Sequence, residues 1–209
     1  MAPLHAMNPL RIGWIDRRIQ ARFGEPQRVL DIGCGAGLAA EALARIGHTV
    51  LGLDAAGDVI AAAQAHAAGQ DLPLTYRAGT AEGLVAEGAK FPVVTALEVI
   101  EHVADPAAFL RLLARLVSPG GVLFVSTLNR TARSLVVAKF GAEYVMRMLP
   151  IGTHDWRRFV TPAELDVYGR AAGFRTRSVT GMSYDFRHGI WRASADLSIN
   201  FMSELTHIG

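Results

Sequence analysis

Short apolar runs alternate along this chain with longer stretches whose apolar residues recur every three or four positions. Residues 28–32, 49–53, 74–78, 93–97 and 122–126 read as five strands. Residues 13–23, 39–45, 58–67 and 106–116 read as helices, with Asp58 and Asp105 as N-caps and Pro106 at a first helical position. Ser118-Pro119-Gly120-Gly121 reads as a turn. This alternation predicts an α/β fold with a largely parallel sheet. After Asn129 the pattern breaks, and residues 131–149 are apolar with few charges. Order resumes at Thr161-Pro162-Ala163-Glu164, where Thr161 caps, Pro162 takes the first helical position and Glu164 completes a capping box. A strand from Phe174 through Val179 follows, and residues 182–202 read as a hairpin or a strand plus tail. We therefore expect one domain over residues 1–209, with an apolar insert at 130–160.

The 209 residues are 51% hydrophobic and 19% charged, an ordinary globular balance that suits one sizeable core. A net charge of +2 makes the pI near 9.0 a weak guide to partners. The basic residues are nearly all arginine, with Lys90 and Lys139 the lysines, and we read this as codon bias. No dense basic run with interleaved aromatics argues for nucleic acid. One cysteine, Cys34, excludes an internal disulfide and a cysteine-based metal cluster, and it fits a reducing, cytoplasmic setting. No signal-peptide pattern and no uncharged span of membrane length stands in the sequence.

The chemistry starts at Asp31-Ile32-Gly33-Cys34-Gly35-Ala36-Gly37, between a strand and a helix. Glycines there let a ligand approach the backbone, and the helix start offers free N–H groups. A dinucleotide loop wants G-x-G-x-x-G, but here the glycines fall at 33, 35 and 37 and Leu38 stands in the third place. Asp31, just before the first glycine, suits an ammonium and not a pyrophosphate. S-adenosylmethionine has an amino group and no phosphate, so the spacing favours the methyl donor. Asp54 ends the next strand, where a carboxylate can accept both ribose hydroxyls. Gly79-Thr80-Ala81-Glu82 is expected to border the adenine through Ala81, or else to be a solvated turn. Glu98, Glu101 and His102 follow the fourth strand at i, i+3 and i+4, which one helical turn would place on one side. They could hold a divalent metal, include a general base, or form a polar helix start.

Beyond this point the chain resembles the bacterial ubiquinone-biosynthesis O-methyltransferase family, nearly end to end. The resemblance rests on Asn8-Pro9-Leu10-Arg11, residues 29–37, residues 98–103 and Ser118-Pro119-Gly120-Gly121. It continues in Ser126-Thr127-Leu128-Asn129-Arg130, Gly141-Ala142-Glu143-Tyr144 and Gly152-Thr153-His154-Asp155-Trp156. It implies a doubly wound, Rossmann-like sheet of seven strands and O-methylation of polyprenylated catechols and demethylubiquinol. It also implies cofactor contacts at Arg11, Gly33, Asp54 and Leu97, with Arg11 reaching the cofactor carboxylate, and a magnesium site at Glu98, Glu101 and His102. Two departures stand out: Leu97 replaces a frequent methionine, and Pro92 a frequent aspartate. The family also carries a further stretch with paired tryptophans ahead of Pro3-Leu4-His5, so we expect Met1 to be internal to a longer protein.

Methyl transfer to a phenol, whose pKa is about 10, calls for a base or a Lewis acid. His154, beside Asp155, and His102 are the candidates; His48, His66 and His188 read as surface residues. The apolar stretch 133–149 would serve as core, as a wall for a polyprenyl tail or as a peripheral membrane contact at the inner face, with Arg133, Lys139 and Arg147 for anionic headgroups. Two rival functions are methylation of another small phenol and a non-catalytic place in a quinone-synthesis complex.

Overall fold

The computed structural model describes residues 2–134 and 158–208. Most of the apolar insert, with His154, lies outside the described residues. The elements in chain order are α1 (Ala2–Phe23), β1 (Arg28–Ile32), α2 (Leu38–Arg45), β2 (Thr49–Asp54), α3 (Gly57–Ala67), β3 (Leu74–Ala78), α4 (Ala81–Ala86), β4 (Phe91–Leu97), a 3-10 turn (Ile100–His102) and α5 (Pro106–Ala114). Then come β5 (Val117–Leu128), α6 (Pro162–Ala171), β6 (Phe174–Asp185), β7 (Ile190–Ser194) and β8 (Asn200–His207).

One sheet runs in the order β3-β2-β1-β4-β5-β8-β6-β7. Its first five strands pair in parallel, and β8 enters antiparallel between β5 and β6. The sheet has eight strands where the sequence implied seven; the extra one, β7, is the return arm of a hairpin on β6. Helices cover both faces. Trp14, Ile15, Ile19, Leu43 and Ile60 of α1–α3 share one core with Val29 and Phe124. Leu84, Leu110, Leu113 and Leu165 of α4–α6 share the other with Leu30, Val94 and Phe201. Strands buried on both sides read as continuous apolar runs, as Val122 to Val125 do.

The local rules that succeeded are capping rules. Asp105 accepts from the Ala108 N–H at 3.0 Å with Pro106 behind it, and Thr161 and Glu164 close a reciprocal capping box. Four expectations need correction. Helix α1 starts well before Gly13, because Pro9 lies inside it and interrupts the helical signal without ending the helix. Ala56, not Asp58, caps α3, and Asp58 sits in the first turn. Thr80 caps a short helix where a turn was expected, accepting from Gly83 N at 3.3 Å. Residues 118–121 form an irregularity inside β5, across which the pairing passes from Phe91↔Val117 to Val93↔Val122. Among the described residues no helix is long and apolar enough to cross a membrane.

Candidate active site

The strand order reverses between β1 and β4, and the crevice at their carboxyl ends is where such folds bind ligands. The glycine loop leaves β1 there. The N–H groups of Gly33 and Cys34 both donate to the Leu53 carbonyl, at 2.8 and 3.1 Å, which folds the loop against the end of β2. Asp54 then accepts from Gly35 N and from Ala56 N, both at 3.0 Å, with a different oxygen for each. It thus shapes the loop. Gly37 opens α2 with φ +86°, and a side chain there would overlap the Tyr76 hydroxyl. Gly35 also has positive φ, but open space lies where its side chain would be. Cys34 is buried in the loop, and burial pushes its thiol pKa upward.

Asp31 is 2% exposed and stands opposite Thr95 of β4, whose hydroxyl donates to its Oδ1 at 2.6 Å. Its Oδ2 is buried with no partner among the described residues. Burial raises the Asp31 pKa to about 6. A buried carboxylate oxygen lacking a donor fits an ammonium ligand, so the residues present fit S-adenosylmethionine. Arg11 of α1 is 3% exposed; its Nη2 donates to Asn8 Oδ1 at 3.2 Å, while Nε is buried without a partner. Asn8 in turn donates to the Leu38 carbonyl at 2.9 Å, tying α1 to the start of α2. Leu97 is half-buried at the end of β4, and Ala81 is buried at the start of α4.

The acidic cluster departs from expectation. Glu98 has φ +58°, so the chain turns sharply before the 3-10 turn and the helical spacing does not apply. Glu98 accepts from Ser126 Oγ at 2.7 Å and pairs with Arg11 Nη1 at 3.7 Å. Glu101 turns inward, 4% exposed, and accepts from Thr127 Oγ1 at 3.0 Å. Burial first, then the neighbouring Glu98, drive its pKa upward. His102 is exposed at the end of the turn. The three side chains expected to hold magnesium are therefore not gathered as a ligand set, and among the described residues no group of three or more His, Cys, Asp or Glu could hold a metal ion. His48 is a further correction. It is fully buried, accepting from Gln27 N at 3.0 Å and lying 3.2 Å from Asp16, whereas His66 and His188 are exposed.

Sequence reasoning missed Asn8, Tyr76, Thr95, Ser126 and Thr127 as partners of the site. Asn8 lies one helical turn from Arg11, a signal hidden by the late start assigned to α1. A cavity of about 310 Å³ between α5 and α6, lined in part by Pro106, Arg130, Glu164 and Tyr168, includes none of the expected cofactor residues.

Fold and loop together define a class, the S-adenosylmethionine-dependent methyltransferases. Residues 9–179 match the family model described as a methyltransferase domain. Among solved structures, magnesium protoporphyrin IX methyltransferase from Synechocystis with bound SAH shares the fold, with TM-score 0.69, 21% identity, and 97% of this chain and 83% of that one covered. The plantazolicin methyltransferase BpumL, also with SAH, does so at TM-score 0.71 and 12% identity, covering 98% and 85%. Much nearer in sequence are the ubiquinone biosynthesis O-methyltransferases of Azorhizobium caulinodans, 47% identical over 96% of this chain and 83% of that protein, and of Caulobacter sp. strain K31, 47% over 98% and 85%. The chain belongs to the ubiquinone biosynthesis O-methyltransferase family.

Proposed function

We propose that this enzyme transfers the methyl group of S-adenosylmethionine to a phenolic oxygen of polyprenylated catechol and demethylubiquinol intermediates. The observation that carries the reading is the buried, unpartnered Oδ2 of Asp31 beside a glycine loop that Asp54 holds in shape. When bound, the cofactor supplies an electrophilic methyl carbon on a sulfonium, which leaves as a neutral thioether and needs no acid. The C–S bond breaks as the O–C bond forms, and the phenol proton must pass to a base. Asp31 takes the ammonium, Asp54 the ribose hydroxyls, and Arg11 the carboxylate, while Leu97 and Ala81 give apolar walls to the adenine. Placing donor and acceptor in line supplies much of the acceleration. His102 and His154 are the candidate bases; the first is exposed, and the second lies outside the described residues. Glu98, Glu101 and His102 do not fit a metal ion as a set.

The test is turnover of a short-chain catechol and of a demethylated quinol, read by mass as one added methyl group. Both are expected to be methylated. Asp54→Ala is expected to weaken cofactor binding in calorimetry by at least about tenfold, since it removes charge-assisted bonds worth about 1.5 kcal/mol or more. Tight cofactor binding with neither phenol methylated would overturn the substrate assignment.

A further inference from the structure

Strand β4 is apolar at every position but one. Phe91, Pro92, Val93, Val94, Ala96 and Leu97 flank Thr95, which is fully buried. A central strand covered on both faces favours an aliphatic residue at such a place, and a buried hydroxyl is costly unless it is hydrogen-bonded. Strand register gives this hydroxyl its use. Thr95 is level with Asp31 on the neighbouring parallel strand. Its Oγ1 lies 2.6 Å from Asp31 Oδ1 and 3.4 Å from the Leu30 carbonyl oxygen.

A hydroxyl donates one proton and can also accept one. With Asp31 ionised, the Thr95 O–H donates to Oδ1. With Asp31 protonated on Oδ1, the carboxyl O–H donates to Thr95 Oγ1, and the Thr95 O–H turns to the Leu30 carbonyl. The carboxyl group therefore keeps its Thr95 contact in both states, and Oδ2 keeps its direction. That second oxygen is the one buried without a partner. The other groups facing Asp31 do not offer this. Arg11 of α1 and the Ala40 backbone of α2 favour its ionised form, and Asp54 of β2 opposes it. The Cys34 thiol of the loop and the Tyr76 phenol of β3 also face it, and burial keeps both protonated.

We propose that Thr95 is a positioning residue of the cofactor site. Its hydroxyl fixes the Asp31 carboxyl so that Oδ2 faces the ammonium of the methyl donor, and it holds that aim whichever way Asp31 is protonated. The ammonium as target rests on the function proposed above; the hold on Asp31 does not. When the donor binds a protonated Asp31, the carboxyl proton leaves for solvent and the Thr95 O–H swings from Leu30 to Oδ1, with no side chain displaced.

The experiment has two readouts on the full chain, for the parent, Thr95→Val, Thr95→Ala and Thr95→Ser. Carbon NMR of labelled aspartate carboxyls follows Asp31 in the empty protein, its signal assigned by its loss in Asp31→Asn. Calorimetry follows the affinity for S-adenosylhomocysteine against pH. The parent carboxyl is expected to titrate near 6. Valine keeps the shape of threonine and alanine relieves any crowding, but both remove a hydrogen bond that favours the carboxylate. The midpoint should rise by about one pH unit in each. Affinity at about pH 6 should then fall by about fivefold, and whatever loss remains at about pH 8 measures the lost aim. Serine restores the hydroxyl and should restore the parent midpoint. A role in packing alone would lower the melting temperature and leave the midpoint in place. An unmoved midpoint in the valine and alanine variants, or a serine variant that titrates as they do, overturns the proposal. A midpoint that rises while the affinity profile stays as in the parent would sustain the hold on Asp31 and sink the ammonium reading.

Discussion

Asp31 should give the empty and loaded enzyme opposite responses to pH. Its folded pKa of about 6 lies above the ordinary value of 3.8, so the folded chain binds its proton more tightly than the unfolded one does. Its contribution is therefore most favourable below the unfolded value and is lost as pH rises toward 6. Above that, the ionised group costs the empty fold about 3 kcal/mol, as an order of magnitude. An ammonium against Oδ2 would offset that cost. Cofactor affinity should accordingly rise between about pH 5 and 7, and Asp31→Asn should weaken binding and flatten the profile. Calorimetry across that range decides it; an unchanged slope in the variant would show that another group titrates. This residue's importance was legible, since an acid before the first glycine has a place in the spacing. Thr95 as its partner was not, because that contact depends on strand register. His48 was misread for a related reason: nothing local says that a histidine after Gly47 is covered by α1.

The glycine loop allows two failures to be separated at the scale of an element. Gly37→Ala puts a side chain at positive φ into the Tyr76 hydroxyl, so both strain and overlap oppose it. It should lose about 2 kcal/mol or more, a fall in Tm of about 4–8 °C for a chain of this size. Gly35→Ala meets open space and should cost only about 1–2 kcal/mol for its backbone conformation, while its methyl group would intrude on the cofactor under the proposed binding. Thermal melts paired with calorimetry should show Gly37→Ala failing in both and Gly35→Ala failing chiefly in binding; equal stability losses would refute the distinction. Elements with caps and long periodic faces, such as α5 and α6, could be read from sequence. Helix α4 could not, being six residues with a glycine inside. The turn at Glu98 could not either, because a non-glycine residue at positive φ leaves no local trace, and it decided how the acidic cluster is arranged.

Over the whole molecule, alternating strands and helices specified the doubly wound sheet as far as β5, since each βα step is local. The far side needed more: β8 inserts between β5 and β6 by pairing across long stretches of chain, and the hairpin arm β7 was expected only as one of two possibilities. The family resemblance, carried by particular segments, reached further toward function than periodicity could. One buried atom gives a way to watch this assembly breathe. The Cys34 sulfur is the only thiol in the chain, is enclosed between α2, β2 and Tyr76, and is held protonated by its surroundings. A maleimide can reach it only when the loop and its neighbours part, so labelling speed counts openings of the cofactor cradle. Labelling of the native chain should be slow, and saturating S-adenosylhomocysteine should slow it further. Rapid labelling that ignores the nucleoside would mean that the cradle stands open without it. The unmodified protein thus carries its own clock for local opening of the glycine loop.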